Sequence, residues 1–221
     1  MKRFLKLALI AISLVFAMSS CLTIEEHFTF KKNGSGTMKT VIDMSEMKSL
    51  MAMAMEESNE GNPMDEMSFG QIEEQLAKVE GISNVKVIED REEFVFGFEY
   101  DFESIDALNK ARASIDESGA ARGVSQTGSN VFTNSFSMPA GLPIEEMLGG
   151  EDEESEAAAM MVSQMKYRIY INTQKPMQAV YAGEKANVEY EGSSGKEVVI
   201  SSSLGNIIAD PGIMSWTIVT K

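Results

Sequence analysis

Hydrophobic and polar positions along the chain fall into segments of two periods. From Glu93 to Phe102, the residues Phe94, Phe96, Phe98, Tyr100 and Phe102 alternate with Val95, Gly97, Glu99 and Asp101. Period two sends successive side chains to opposite sheet faces. Five aromatic rings therefore share one face, and mostly small or acidic groups share the other. That is the pattern of an antiparallel sheet covered on one side only. Ile24 to Phe30 reads as a strand with Ile24, Glu26, Phe28 and Phe30 on one side and Glu25, His27 and Thr29 on the other. The turn residues Lys32-Asn33-Gly34-Ser35-Gly36 then return the chain into a second strand, Thr37 to Ile42.

Helical spacing appears in three places. Asp43 and Glu46 make a helix start, followed by Met47, Leu50, Met51, Ala54 and Met55 on one stripe. After a polar loop, Ser58 to Asp65, the pair Ser68 and Gln71 forms a second capping box. Phe69, Ile72, Leu76 and Val79 give that helix its apolar face, and Gly81 ends it. Ser104 caps a third helix, with Ile105, Leu108, Ala111 and Ile115 inward, running to about Gly119. Further strands are predicted at Asn84–Ile88, Val131–Met138, Tyr167–Asn172, Val188–Tyr190, Glu197–Ser202, Leu204–Ala209 and Ile213–Val219, with a short helix at Ala157–Met165. The expected fold is α+β: a mostly antiparallel sheet with helices packed on its aromatic face and a β-rich C-terminal part.

The N-terminus follows a different rule. Lys2, Arg3 and Lys6 precede an apolar run from Leu7 to Ala17, and small Ser19 and Ser20 precede Cys21, the single cysteine of the chain. A spanning helix needs about 20 apolar residues, and this run is shorter. The arrangement resembles the signal peptide of a bacterial lipoprotein, in which signal peptidase II cuts before a cysteine that carries lipid. Met18 stands where such boxes usually have Leu, and Ser20 where they have Gly or Ala; looser boxes of this kind are similar to those of Bacteroidota. The resemblance implies a signal peptide at 1–20, a single lipoprotein domain at 21–221, lipid attachment at Cys21, and a membrane partner through that N-terminal lipid. Each buried methylene of such an anchor contributes about 0.8 kcal/mol. Leu22 after the cysteine resembles the outer-membrane class, on its periplasmic or surface face. Glu25 and Glu26 are similar to an acidic pair that marks surface export in some Bacteroidota, but are expected here as solvent-facing residues of the first strand.

Charge narrows the partners. Without residues 1–20, 16 basic side chains face 34 acidic ones, a formal net charge of −18. Nucleic acid and anionic headgroups repel such a surface, so no nucleic-acid partner is expected. With no second cysteine there is no intramolecular disulfide, and the core alone must hold the fold. Residues 141–165 hold seven acidic side chains and no Lys or Arg, which reads as a solvated acidic insertion near 141–160. It lacks the spaced ligands of a calcium loop, and no metal site or cofactor is expected.

Motif chemistry is sparse. His27 is the single histidine and reads as an exposed strand residue, and no catalytic residue is assigned. Methionine is more suggestive: seven lie between Met44 and Met67, and flexible, polarizable side chains suit adaptable apolar surfaces. Met53 and Met64, off the helical stripe, are the candidate ligand-binding residues. Three function classes follow: a noncatalytic envelope lipoprotein that binds an apolar ligand or a partner protein; a structural or assembly factor with a protein partner only; and a hydrolase using a carboxylate pair, which needs no sequence motif. The first is preferred. The early hairpin with Asn33-Gly34-Ser35-Gly36, the mid-chain helices and the late strand with Trp216 are similar to the LppM-type bacterial lipoprotein domain, a family for which a lipid or envelope ligand is one idea. No apolar helix follows Trp216, unlike the membrane-tailed members of that family.

Overall fold

A computed structural model describes residues 22–48, 69–115, 123–136 and 163–221. Cys21, residues 49–55 of the helix predicted after Asp43 (Met53 among them), Met64 and the acidic insertion lie outside the described residues, while Ser45–Met47 at that helix's expected start is a 3-10 turn.

Two sheets and three helices make up the described fold. The larger sheet has seven strands in the order β3-β4-β2-β1-β7-β10-β9. Its strands are β1 (Thr23–Phe30), β2 (Gly36–Asp43), β3 (Ile82–Asp90), β4 (Val95–Phe102), β7 (Lys166–Thr173), β9 (Asn187–Glu191) and β10 (Glu197–Ser203). All neighbours are antiparallel except β1 and β7, which run parallel at the centre. The smaller sheet, β5-β6-β11-β8, is antiparallel throughout; its strands are β5 (Gly123–Thr127), β6 (Val131–Ser135), β8 (Met177–Ala182) and β11 (Trp216–Thr220).

Register makes one face of the large sheet apolar. Tyr100, Met38, Phe28, Ile171 and Val198 are successive partners across five strands, and all are buried. This inner face is covered in two halves. Helices α1 (Phe69–Ala77) and α2 (Ile105–Ile115) bring Leu76, Leu108 and Ala111 into the core beside the aromatic row of β4. The small sheet covers the other half: Phe132 stacks on Phe30 at 4.7 Å, and Trp216 meets Phe28 edge-on at 6.0 Å. The predicted one-sided sheet is present, but helices supply only part of its cover.

Local sequence accounts for most boundaries. The β1–β2 turn needs Gly34 at φ +83°, which glycine adopts without steric cost. Ser104 caps α2, its Oγ accepting the Ala107 N–H at 3.1 Å. β4 begins two residues later than its alternation suggests, because Glu93 and Phe94 form a turn in which Phe94 takes φ +56°. The segment Leu204–Ala209, expected as a strand, is a helix, α3. Ser203 caps it, accepting the Asn206 N–H, and one turn places Ile207 in the core. Pro211–Met214 is then a 3-10 turn, so the last strand starts at Trp216 rather than Ile213. β5 and β8 were not expected. Each shows one fully inward side chain, Val124 and Met177, too few to reveal a period.

Candidate functional site

The inner face is not uniformly apolar. Glu26 occupies the β1 position between Ile24 and Phe28, and its neighbours in the row are Thr40 and Ile169. Its side chain is 4% exposed. Both acidic residues at the start of β1 were expected to face solvent; Glu26 does not, because strand alternation fixes it on the face that carries Phe28 and Phe30. A buried carboxylate needs a partner. Arg112 supplies one from the last turn of α2, Nη2 lying 3.7 Å from Glu26 Oε2, with the guanidinium side chain 5% exposed. Arg112 follows Leu108 by four residues and so shares its buried helix face, and a cation in the last turn also complements the helix dipole. Its Nη1 donates to Asn134 Oδ1 of β6 at 3.1 Å, and its Cζ lies over the Phe28 ring, 5.5 Å from the ring centre. One arginine thereby ties the helix to both sheets.

Beside this pair lies a cavity of about 260 Å³. Ile24, Met38, Ile42, Phe98 and Ile115 give it apolar walls, and Glu26, Arg112 and the hydroxyl-bearing Thr40, Tyr100 and Tyr167 give it polar points. Its volume is slightly under the roughly 300 Å³ at which ordinary ligand pockets begin. The Tyr100 side chain is fully buried, and its hydroxyl has no hydrogen-bond partner among the described residues. Burial raises the Tyr100 pKa well above the usual phenol range; the Arg112 charge opposes that shift and Glu26 adds to it. Tyr100 is therefore a neutral donor. Leaving a buried donor unmatched costs about 1–3 kcal/mol.

The outer face carries a second polar group. His27 stacks on Tyr170, ring centres 4.3 Å apart and planes 3° from parallel. His27 Nε2 lies 3.1 Å from Glu25 Oε2, and the Tyr170 hydroxyl donates to Glu25 Oε1 at 3.2 Å. Arg168 Nη1 is 3.5 Å from the same oxygen. The hydrogen bond with His27, together with the charges of His27 and Arg168, holds Glu25 below the usual carboxylate range, against a smaller opposing effect of burial. His27 is thus a half-buried member of a network rather than a free surface residue.

Of the residues singled out in the sequence, Cys21, Met53 and Met64 lie outside the described residues. Glu26 and Arg112 were missed, though each left a signal: a carboxylate within an otherwise apolar strand row, and a cation four residues after Leu108. Among the described residues, no cluster of three or more His, Cys, Asp or Glu is arranged to hold a metal ion, and no helix is long and apolar enough to cross a membrane.

No family model matches the chain, and no curated protein matches its sequence. Among solved structures, it is similar to the folded domain of LppM from Mycobacterium tuberculosis, determined by NMR, at 7% identity and a TM-score of 0.46, over 91% of this chain and 90% of that one. The likeness is consistent with the LppM-type resemblance of the sequence and at this similarity carries nothing further.

Proposed function

We propose that this chain is a noncatalytic envelope lipoprotein, anchored through Cys21, whose domain binds an amphipathic ligand in the cavity beside Glu26 and Arg112. The observation that carries the binding reading is the Tyr100 hydroxyl, buried and unmatched at the wall of a cavity that combines apolar side chains with a few polar groups. An acyl or other apolar body suits the walls, and a polar head that accepts a hydrogen bond suits Tyr100. Binding fits better than hydrolysis because, among the described residues, the cavity lining holds one carboxylate, Glu26, where glycoside cleavage needs two. The anchor rests on the signal-like segment and the cysteine that follows it.

Titration of parinaric acid, a fluorescent fatty acid, tests the cavity. The wild-type protein is expected to bind it. Tyr100→Phe should weaken binding yet stabilise the fold by about 1–3 kcal/mol, since it removes an unmatched buried donor. Ile115→Trp, at the cavity wall, should block binding while the protein stays folded. Undiminished binding by Ile115→Trp, or none by the wild type, rejects the cavity as the site. For the anchor, intact-mass analysis of membrane-derived protein should show an acylated chain starting at Cys21, and Cys21→Ala should abolish both the acyl mass and that start.

A further inference from the structure

The outer face of the large sheet is hollow along β10, on the side opposite the cavity. From Val199 onward the outward residues of this strand are small: Val199, Ser201 and Ser203. Their neighbours on β7 are long, with Tyr170 beside Val199, Arg168 beside Ser201 and Lys166 beside Ser203. On the other side, Glu189 stands beside Val199 and Asn187 beside Ser201. A low floor between two high walls makes a trough of about 580 Å³, and a hollow of about 350 Å³ adjoins it, sharing Tyr170 and Glu191. From Val199 to Ser203 the floor runs about 13 Å at the usual rise per strand residue.

The trough is polarised. Lys166 and Lys185 lie at its Ser203 end, Lys185 being two residues before Asn187, and neither ammonium has an ion-pair partner among the described residues. Two exposed, unmatched cations beside Arg168 contrast with a chain of formal charge −15. The opposite end carries the carboxylates Glu189 and Glu191 and the ring of Tyr170. His27 covers the β1 side of that ring, so its other side turns toward β10 and the trough.

We infer that this trough is a binding site for an acidic oligosaccharide. A sugar ring lies against the open side of Tyr170, its hydroxyls exchange hydrogen bonds with Asn187, Glu189 and Ser201, and an acidic substituent sits between Lys166 and Lys185. Charge-assisted contacts at that end are the stronger ones and set the direction of the chain. An extended peptide fits less well. From Glu197 to Ser201 β10 is paired on both sides, by β7 and β9, so over that stretch its backbone has no groups left for strand addition, which needs a free edge. The apolar part of the floor is Val199 alone, which gives peptide side chains little to bury.

The test uses the full chain in detergent micelles and isothermal titration with tetragalacturonate, neutral cellotetraose and a tetraglutamate peptide. Tetragalacturonate is expected to bind at least tenfold more tightly than cellotetraose, and tetraglutamate least tightly. The exposed double substitution Lys166→Gln/Lys185→Gln should weaken tetragalacturonate at least tenfold with melting unchanged. Tyr170→Ala should weaken both sugars. Ile115→Trp, which closes the cavity on the other face, should leave sugar binding intact, so failure of the lipid reading and failure of this one are separately visible. Absence of tetragalacturonate binding, binding unaffected by the lysine pair, or tighter binding of tetraglutamate overturns the inference.

Discussion

Glu25 and Glu26 are chain neighbours on β1, and strand alternation sends them to opposite faces of the same sheet. Glu26 is enclosed, 4% exposed, with Arg112 at 3.7 Å and the cavity beside it. Glu25 is 22% exposed and shares its charge among His27, Tyr170 and Arg168. The inner face permits one carboxylate because one arginine, delivered by α2, offsets the cost of burying it. The outer face carries many polar groups because water solvates whatever they leave unmatched. The inner pair therefore controls packing, while the outer network tunes ionisation and presents chemistry to solvent.

The largest expected effect tests this contrast directly. Glu26→Ala leaves the Arg112 guanidinium buried without its carboxylate, and removing one partner of a buried pair typically costs about 3–5 kcal/mol. Glu25→Ala loosens a network that solvent already screens and should cost no more than about 1 kcal/mol. Urea unfolding of both variants measures the gap. Similar costs at the two positions would erase the distinction between the faces. Replacing Glu26 and Arg112 together with Met and Leu should recover much of the loss, as buried ion pairs exchanged for apolar groups often do.

A second contrast lies within β4. Phe96 is 2% exposed and packs with Met44, Ile72, Val87 and Phe94, whereas Glu99, on the outer face, is 34% exposed and 3.8 Å from Lys86. Phe96→Ala should cost about 3–5 kcal/mol. Glu99→Ala loses a surface ion pair, worth at most about 1 kcal/mol. Thermal melts of the two variants rank them. Gly97, between them in sequence, tolerates no larger residue, because a Cβ there would overlap the Thr40 carbonyl oxygen of β2.

These contrasts also mark how far sequence reasoning reaches. The β4 alternation, the first hairpin and α2 were legible because each repeats its period over several buried side chains. The small sheet was legible in part: β6 and β11 match strands expected from the sequence, whereas β5 and β8 each carry one fully inward apolar side chain, Val124 and Met177, so no period builds up. The parallel pairing of β1 with β7 joins segments far apart in sequence, and only packing selects it. At the site, the placement of Glu26 on an apolar row was visible in the strand pattern, yet its burial follows from Arg112, and nothing local connects a residue of β1 with one of α2. Ser203 had a capping residue's chemistry, but the apolar residues after it, Leu204, Ile207 and Ile208, suit a strand as well as a helix.

The smallest effect is a pH dependence, and it belongs to the outer face. Glu25 is held below its ordinary value of 4.5, first by the hydrogen bond with His27 and then by the His27 charge, the Tyr170 hydroxyl and Arg168. Asp101 is held below 3.8 by hydrogen bonds from Asn84 Nδ2 at 2.7 Å and the Thr37 hydroxyl at 2.9 Å. A carboxylate with a depressed native pKa binds its proton less readily when folded than when unfolded. Its stabilisation is therefore complete above the unfolded value and is lost as pH falls through the native one. Glu25→Gln removes one such group and Asp101→Asn the other. Urea midpoints measured at intervals from neutral pH downward should show each variant weaker than wild type at neutral pH, with the difference shrinking once pH falls below about 4.5 for Glu25→Gln and about 3.8 for Asp101→Asn, the ordinary values of the two groups. A difference that stays constant across the acid range would mean that these carboxylates act through packing alone, and the outer face would then differ from the inner one only in exposure.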